Sequence, residues 1–295
     1  MGQAAVRRPD KQLLVAVDWT EWHHDLRMLV AAVVVGTRAV PLYAAAFEKI
    51  VRVRSQNARE NAFVRVLVDG LTRAGISATL LCDRGFRRVS WLKLLSELHV
   101  DFVVRLQDDV TVEFAGERIP LAGILLWPGQ VVDLGIVALR ADASFHVRVI
   151  GCWAKGAHAP WWLATSRTDR ASLILKLYDR RMTIEEQFRD TKGRRFGAKL
   201  SWTQFRDPAA LGRFVMLLAP ALLIWILVGD HASRAQPSLL LICSTKGARQ
   251  SLVTIGIRIV SMDRPPDFSL AEREIWRRIP APSLRKLTVG ASGGK

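Results

Sequence analysis

A chain of 295 residues, half of them hydrophobic, can bury a sizeable core, which excludes a disordered chain and suits one large domain or one domain with an insertion. Its 43 Lys and Arg against 27 Asp and Glu leave a net charge of +16. That surplus points to nucleic acid ahead of an anionic membrane surface, because no basic amphipathic anchor stands out. Three scattered cysteines (Cys82, Cys152, Cys243) build neither a disulfide framework nor a zinc site, and MGQAAVRRPDKQ at the N-terminus has no apolar signal-peptide core.

In chain order, LLVAVDW (Leu13 to Trp19) predicts a short strand ending on an acid. RMLVAAVVVG and AVPLYAAAFE follow as β-branched runs separated by Gly36-Thr37, the pattern of a meander. Ser55 to Ala74 has helical spacing, with Phe63, Val66, Leu67 and Leu71 on one side and Ser55 as cap. ISATLLCD is a strand ending on Asp83, Val89 to Leu98 a second helix, and DFVVRLQ another strand. This order fills residues 1–107, the first part of the core. Residues 108–168 turn to short β-rich runs broken by Gly and Pro, which predicts a mainly β insertion. Residues 169–230 then carry a polar helix and a buried one, and 231–295 form a basic C-terminal segment. The uncharged run Phe214 to Gly229 has 16 residues, short of the roughly 20 that cross a bilayer, so it reads as a core helix.

The polar helix, YDRRMTIEEQFRDTK, spaces Tyr178, Arg181, Glu185 and Lys192 at offsets of 3, 4 and 7. At about 100° per residue these side chains share roughly a 60° arc. Beside them, Leu173, Leu177, Ile184 and Phe188 form the apolar stripe expected to hold that face on a core. Glu186 points away from the arc. Asp18 and Asp83 each stand where an apolar strand stops; alone, such an acid is commonly a turn or cap residue. If the strands are neighbours, a helix across the sheet brings Glu185 to both. Three carboxylates together repel one another. Two divalent cations relieve that, and Mg²⁺ suits the oxygen ligands best. His23 and His24 are weak candidates for metal, and no phosphate-cradling Gly loop, zinc pattern or Ser/His/Asp set occurs.

With these residues in place the chain resembles DDE transposases of the insertion-sequence-four group. That group is marked by Tyr, two residues, Arg, three residues, Glu, six residues, Lys, and Tyr178, Arg181, Glu185 and Lys192 match it without a gap. IEEQFRDTK and the preceding WLATS are also similar to the family, and Asp18 in AVDWT and Asp83 in LCDRGF fall where its first two acids belong. The likeness runs from about residue 10 to 260 and includes KGARQSLVTIGIRIV.

The resemblance implies an α/β fold, a ribonuclease-H-like mixed sheet flanked by helices with a mainly β insertion before the last catalytic helix. It implies that Asp18, Asp83 and Glu185 bind two Mg²⁺ ions, with Mn²⁺ as a substitute, while Tyr178, Arg181 and Lys192 contact phosphates. The implied reaction is metal-dependent strand cleavage and transfer at insertion-sequence ends. The implied partners are double-stranded DNA and a second copy of the chain, at the bacterial nucleoid in the cytoplasm and not at a membrane. Trp161 is either a stacking platform for a flipped base or a packed aromatic, with Trp162 facing the other way. Arg194 and Arg195 are either DNA-backbone contacts or a solvated basic turn. Only 17 residues precede Asp18, where family members carry an end-recognition domain. The alternative is therefore a truncated relic that binds DNA without cleaving it.

Overall fold

In the computed structural model, which describes residues 12–22, 25–49, 55–114, 116–139, 145–193, 203–235 and 251–261, strand-forming runs assemble one ten-stranded mixed sheet with helices on both faces. Strands β1 (Leu13–Glu21), β2 (Leu26–Val35) and β3 (Arg38–Glu48) form the expected antiparallel meander. Gly36, at φ +60°, supplies the left-handed backbone that the two-residue turn between β2 and β3 requires. Helices α1 (Gln56–Arg73) and α2 (Val89–Glu97) are crossovers, so β4 (Ala78–Cys82) lies parallel to β1 and β5 (Asp101–Leu106) parallel to β4. This is the α/β, ribonuclease-H-like arrangement expected from the sequence.

The β-rich stretch supplies β6 (Thr111–Phe114), β7 (Glu117–Pro120), β8 (Val131–Leu139), β9 (Phe145–Cys152) and β10 (Trp161–Thr165). Their strands continue the same sheet past β5, in the order β3-β2-β1-β4-β5-β10-β9-β8-β6-β7.

Alternation assigns the two faces. Val15, Val17, Leu80, Cys82, Phe102, Val104 and Trp162 point to one side, where Phe63, Val64 and Leu67 of α1 and Trp91, Leu92 and Leu95 of α2 close a single core. Ser55 caps α1 by accepting from the Ala58 N–H, as expected. Val66, expected on the buried side of α1, is 53% exposed, and Val64 and Val68 are buried instead.

On the opposite side lie α3 (Ala171–Asp179), α4 (Thr183–Lys192), α5 (Pro208–Ala235) and α6 (Leu252–Val260). The polar helix expected as one continuous element is divided. Residues Arg180–Met182 tighten into a 3-10 turn, with Thr183 Oγ1 donating to the Arg180 carbonyl at 2.8 Å. The two halves serve different clusters: Ile174 and Tyr178 pack with Leu81, Val103, Ile150 and Leu163, whereas Ile184 packs with Ala16, Val30 and Ala44. The tight turn is where the chain passes from one to the other. Leu177, Ile184 and Phe188 of the expected stripe do pack inward, but Leu173 is 38% exposed and Ile174 takes its place.

Helix α5 is longer than its apolar run. Among the described residues it is the one helix long and apolar enough to cross a membrane, and 44% of its most apolar 18-residue window is buried. Leu211, Gly212 and Val215 face inward, while Leu217 and Ile224 are exposed. Its Gly229 and the Gly256 of α6 lie directly against the partner helix's backbone: an added Cβ would stand 2.0 Å from the Leu252 and Trp225 carbonyl oxygens, respectively.

Candidate active site

The parallel ladder between β1 and β4 ends at the pair Val17 and Cys82, and the next residue on each strand is an acid, Asp18 and Asp83. By alternation both carboxylates project to the α3/α4 side, Asp18 with Ala16 and Asp83 with Leu81. β1 itself does not stop at Asp18; paired with β2, it runs on to Glu21. Each acid has one oxygen fixed by a backbone amide: the Trp19 N–H donates to Asp18 Oδ1 and the Gly85 N–H to Asp83 Oδ1, both at 2.8 Å. Asp83 also caps the 3-10 turn Arg84–Phe86.

Across from them, the tight turn between α3 and α4 buries Arg181. Its guanidinium donates to Asp18 Oδ2 at 3.2 Å and to Glu185 Oε1 at 2.7 Å. The single pocket of three carboxylates expected from the sequence is not formed as a coordination shell. Among the described residues no three His, Cys, Asp or Glu side chains are gathered closely enough to hold an ion. Opposite charges explain the spacing, because Arg181 stands one turn before Glu185 and faces Asp18. The carboxylates nevertheless feel one another. Burial pushes the Asp18 carboxyl up to about 6, the Asp83 charge adds to this, Arg181 and the Trp19 amide oppose it, and Glu185 contributes a further rise.

Tyr178, expected on an open phosphate-facing arc, is buried in the cluster beneath α3, and that burial raises its hydroxyl well above the usual tyrosine range. The hydroxyl lies within the fields of Arg181, Arg105 and Asp83. Trp161 meets the Tyr178 ring edge-on at 5.7 Å, and the Arg105 guanidinium lies 5.1 Å from the Trp161 ring. Trp162 turns to the opposite face, as alternation requires. A cavity of about 510 Å³ opens beside Trp161, lined also by Lys176, Asp179 and Arg180 of the helical turn. Lys192, seven residues after Glu185 on the same uninterrupted helix, keeps to the side of α4 that carries Glu185. Its ammonium donates to Thr20 Oγ1 and the Glu21 carbonyl at the end of β1, with burial lowering its pKa against a small opposing effect of Glu21. Glu186 pairs with Arg38 and Arg189, away from the site. Arg194, Arg195, His23, His24 and Cys243 lie outside the described residues.

The structure thus joins Asp18, Arg181 and Glu185 by direct contact, places Asp83 beside Asp18, and sets Tyr178 and Trp161 along one wall. Arg105 was missed in the sequence. Its signal was a lone cation inside the apolar strand DFVVRLQ, which alternation aims at the site face.

Residues 9–224 match the family described as the transposase DDE domain. That match spans more than half of the chain, and the protein belongs to this family. Its membership of the transposase DDE family supports a nuclease or strand-transferase role acting on DNA. Solved structures to which it is similar include human endonuclease V, at 14% identity over 72% of this chain and 84% of that one with a TM-score of 0.34. The catalytic domain of human endonuclease V is similar at 15% identity, covering 78% of this chain and 85% of that one, with a TM-score of 0.32. No curated protein matches the chain.

Proposed function

We propose that this is the catalytic domain of a cut-and-paste transposase of the insertion-sequence-four group, cleaving and joining DNA strands at insertion-sequence ends with Mg²⁺. The observation that carries the reading is the emergence of Asp18 and Asp83 from the same end of one parallel strand pair, on the face where Arg181 and Glu185 meet Asp18.

The donor set fits a hard divalent cation. Two carboxylates have their Oδ1 atoms pinned by backbone amides, and Asp18 is held up near 6 by burial and like charge, so an added cation would be favoured there. Asp18, Asp83 and Glu185 would hold the metal. Two bound Mg²⁺ ions, with Mn²⁺ as substitute, supply activation of a water or 3′-hydroxyl and stabilisation of the leaving oxygen. For Glu185 to join the two aspartates, Arg181 exchanges its two carboxylate partners for a DNA phosphate, a bidentate acceptor that suits a guanidinium equally well. The Arg105, Lys176 and Arg180 cations then flank the strand that passes Trp161, on whose ring a base extruded from the duplex would stack. Lys192, Arg194 and Arg195 would contact the phosphate backbone of DNA bound by a dimer at the nucleoid.

Glu185→Gln is expected to abolish divalent-dependent nicking of DNA while leaving the circular-dichroism spectrum and melting temperature unchanged. Nicking retained in that variant removes Glu185 from the mechanism. The guanidinium lying between Asp18 and Glu185 favours a second reading, a domain that binds DNA without cutting it. In that case the wild-type chain binds DNA with a steep salt dependence and shows no cleavage at any Mg²⁺ or Mn²⁺ concentration.

A further inference from the structure

On the far face of the sheet, behind the two aspartates, Glu60 of α1 is only 1% exposed. It sits three, four and seven residues before Phe63, Val64 and Leu67, squarely on the apolar side of its helix, where an apolar side chain would serve packing equally well. Its carboxylate is instead fully engaged. Oε1 accepts from the Trp19 indole N–H at 2.8 Å and from the Gln56 amide at 2.9 Å, and Oε2 pairs with Arg88. Arg88 also donates to Asn57 Oδ1 at 3.1 Å and to Asn61, and it lies 5.2 Å from the Trp91 ring.

What distinguishes this network is what its two arms are attached to. Trp19 directly follows Asp18, and its backbone N–H is the donor that fixes Asp18 Oδ1. Arg88 opens α2 immediately behind the 3-10 turn whose Gly85 N–H fixes Asp83 Oδ1. The peptide after Phe86 is anchored too, since that ring is buried against Trp91 at 5.2 Å. One buried carboxylate therefore clamps the end of β1 to the exit of β4. We propose that Glu60 is a positioning residue for the site, setting the spacing of Asp18 and Asp83 from the opposite face of the sheet through Trp19 and Arg88.

This inference rests on the metal-dependent reading above, and its test separates the two. In the full chain, Trp19→Phe keeps an aromatic ring and removes the indole N–H, whereas Glu60→Gln keeps the shape and removes the charge. Mn²⁺ and Mg²⁺ affinities are measured by calorimetric titration, and kcat and KM for DNA cleavage at saturating metal. Each variant is expected to weaken Mn²⁺ binding about tenfold or more, the usual loss when an outer partner of a ligand is removed. Each also lowers kcat with KM for DNA unchanged. The double variant loses less than the product of the two, because both substitutions break one link. A merely structural role would lower the melting temperature and leave Mn²⁺ affinity of the folded protein intact, and that result overturns the proposal. If Glu60→Gln does not fold, Trp19→Phe decides by the same readings. Wild-type protein that binds no Mn²⁺ overturns the metal reading and this inference with it. Wild-type binding with both variants unchanged overturns this inference alone.

Discussion

The two faces of the sheet are built differently. On the α1/α2 face one apolar cluster runs without interruption from β1 through β8, and the buried charges at its edge are tied into the Glu60–Arg88 network. On the other face the apolar residues, among those described, fall into three separate clusters. The candidate site occupies the seam between two of them, where α3 gives way to α4. Asp18, Asp83, Arg105, Arg181 and Glu185 all belong to that side. A continuous core supplies stability, and a divided one leaves room for charge whose arrangement stability alone would not select. The faces should therefore respond differently to substitution.

The sharpest contrast is between adjacent tryptophans. Trp162 is almost wholly buried in the continuous core, where an added Cβ on Gly151 of β9 would meet its ring at 2.4 Å. Trp162→Ala should lose about 3–5 kcal/mol of stability, the usual range for deleting a buried aromatic. Trp161, one residue earlier, packs on the divided face against Tyr178 and Arg105. Trp161→Ala should lose about 1 kcal/mol, with weakened binding of DNA containing an unpaired base as its larger consequence. Denaturant titration of both variants checks the pair. Equal losses would show that the division into two kinds of face is wrong.

Much of this architecture was legible in the sequence because it follows from short-range pattern. The order of three strands, helix, strand, helix, strand could be read from runs such as LLVAVDW and ISATLLCD, and the opposite directions of Trp161 and Trp162 follow from a period of two. Elements that depend on long-range packing were not legible. Val66 and Leu173 fit a helical stripe, but the stripe that packs is set by where the sheet lies, which favoured Val64, Val68 and Ile174. A uniform helical arc from Tyr178 to Lys192 overlooked the tight turn and the two clusters on either side of it. That is why Tyr178 lies in the cluster beneath α3, whereas Lys192 shares the uninterrupted α4 with Glu185 and docks on β1. Glu60 was readable as an acid on an apolar helix face, but its partners at Trp19 and Arg88 lie 41 and 28 residues away in sequence.

Asp18 offers a test in which the site works against the fold. Its carboxyl moves from the ordinary 3.8 to about 6, chiefly through burial and the Asp83 charge. Below pH 3.8 the group is protonated in both folded and unfolded chains and exacts no penalty. As pH rises through 6 the native protein must ionise it in a disfavouring place, so stability is lost across that window. At about 1.4 kcal/mol per pKa unit the loss approaches about 3 kcal/mol. Asp18→Asn should therefore raise stability at pH 7 by up to about 3 kcal/mol in metal-free buffer and leave it unchanged near pH 3.5. On the proposed metal-dependent reading, cleavage is expected to be lost in the same variant. Denaturation midpoints at the two pH values measure the difference, and an Asn variant no more stable at pH 7 than the parent contradicts the charge balance described here.

The smallest effects are expected at the two residues that fit the helical stripe but face solvent. Val66→Thr and Leu173→Gln should each shift stability by no more than about 0.5 kcal/mol, as substitutions on an exposed surface usually do. Ile174→Ala, one residue along from Leu173 and fully buried, should lose about 2–5 kcal/mol. The same comparison fixes the rotation of α3. A helix turned by one residue, about 100°, would carry Leu173 inward and Ile174 outward and reverse the two results. It would also carry Tyr178 out of its cluster and Arg181 away from Asp18. Chemical denaturation of Leu173→Gln beside Ile174→Ala therefore tests the placement of the Arg181 bridge without touching any residue of the site.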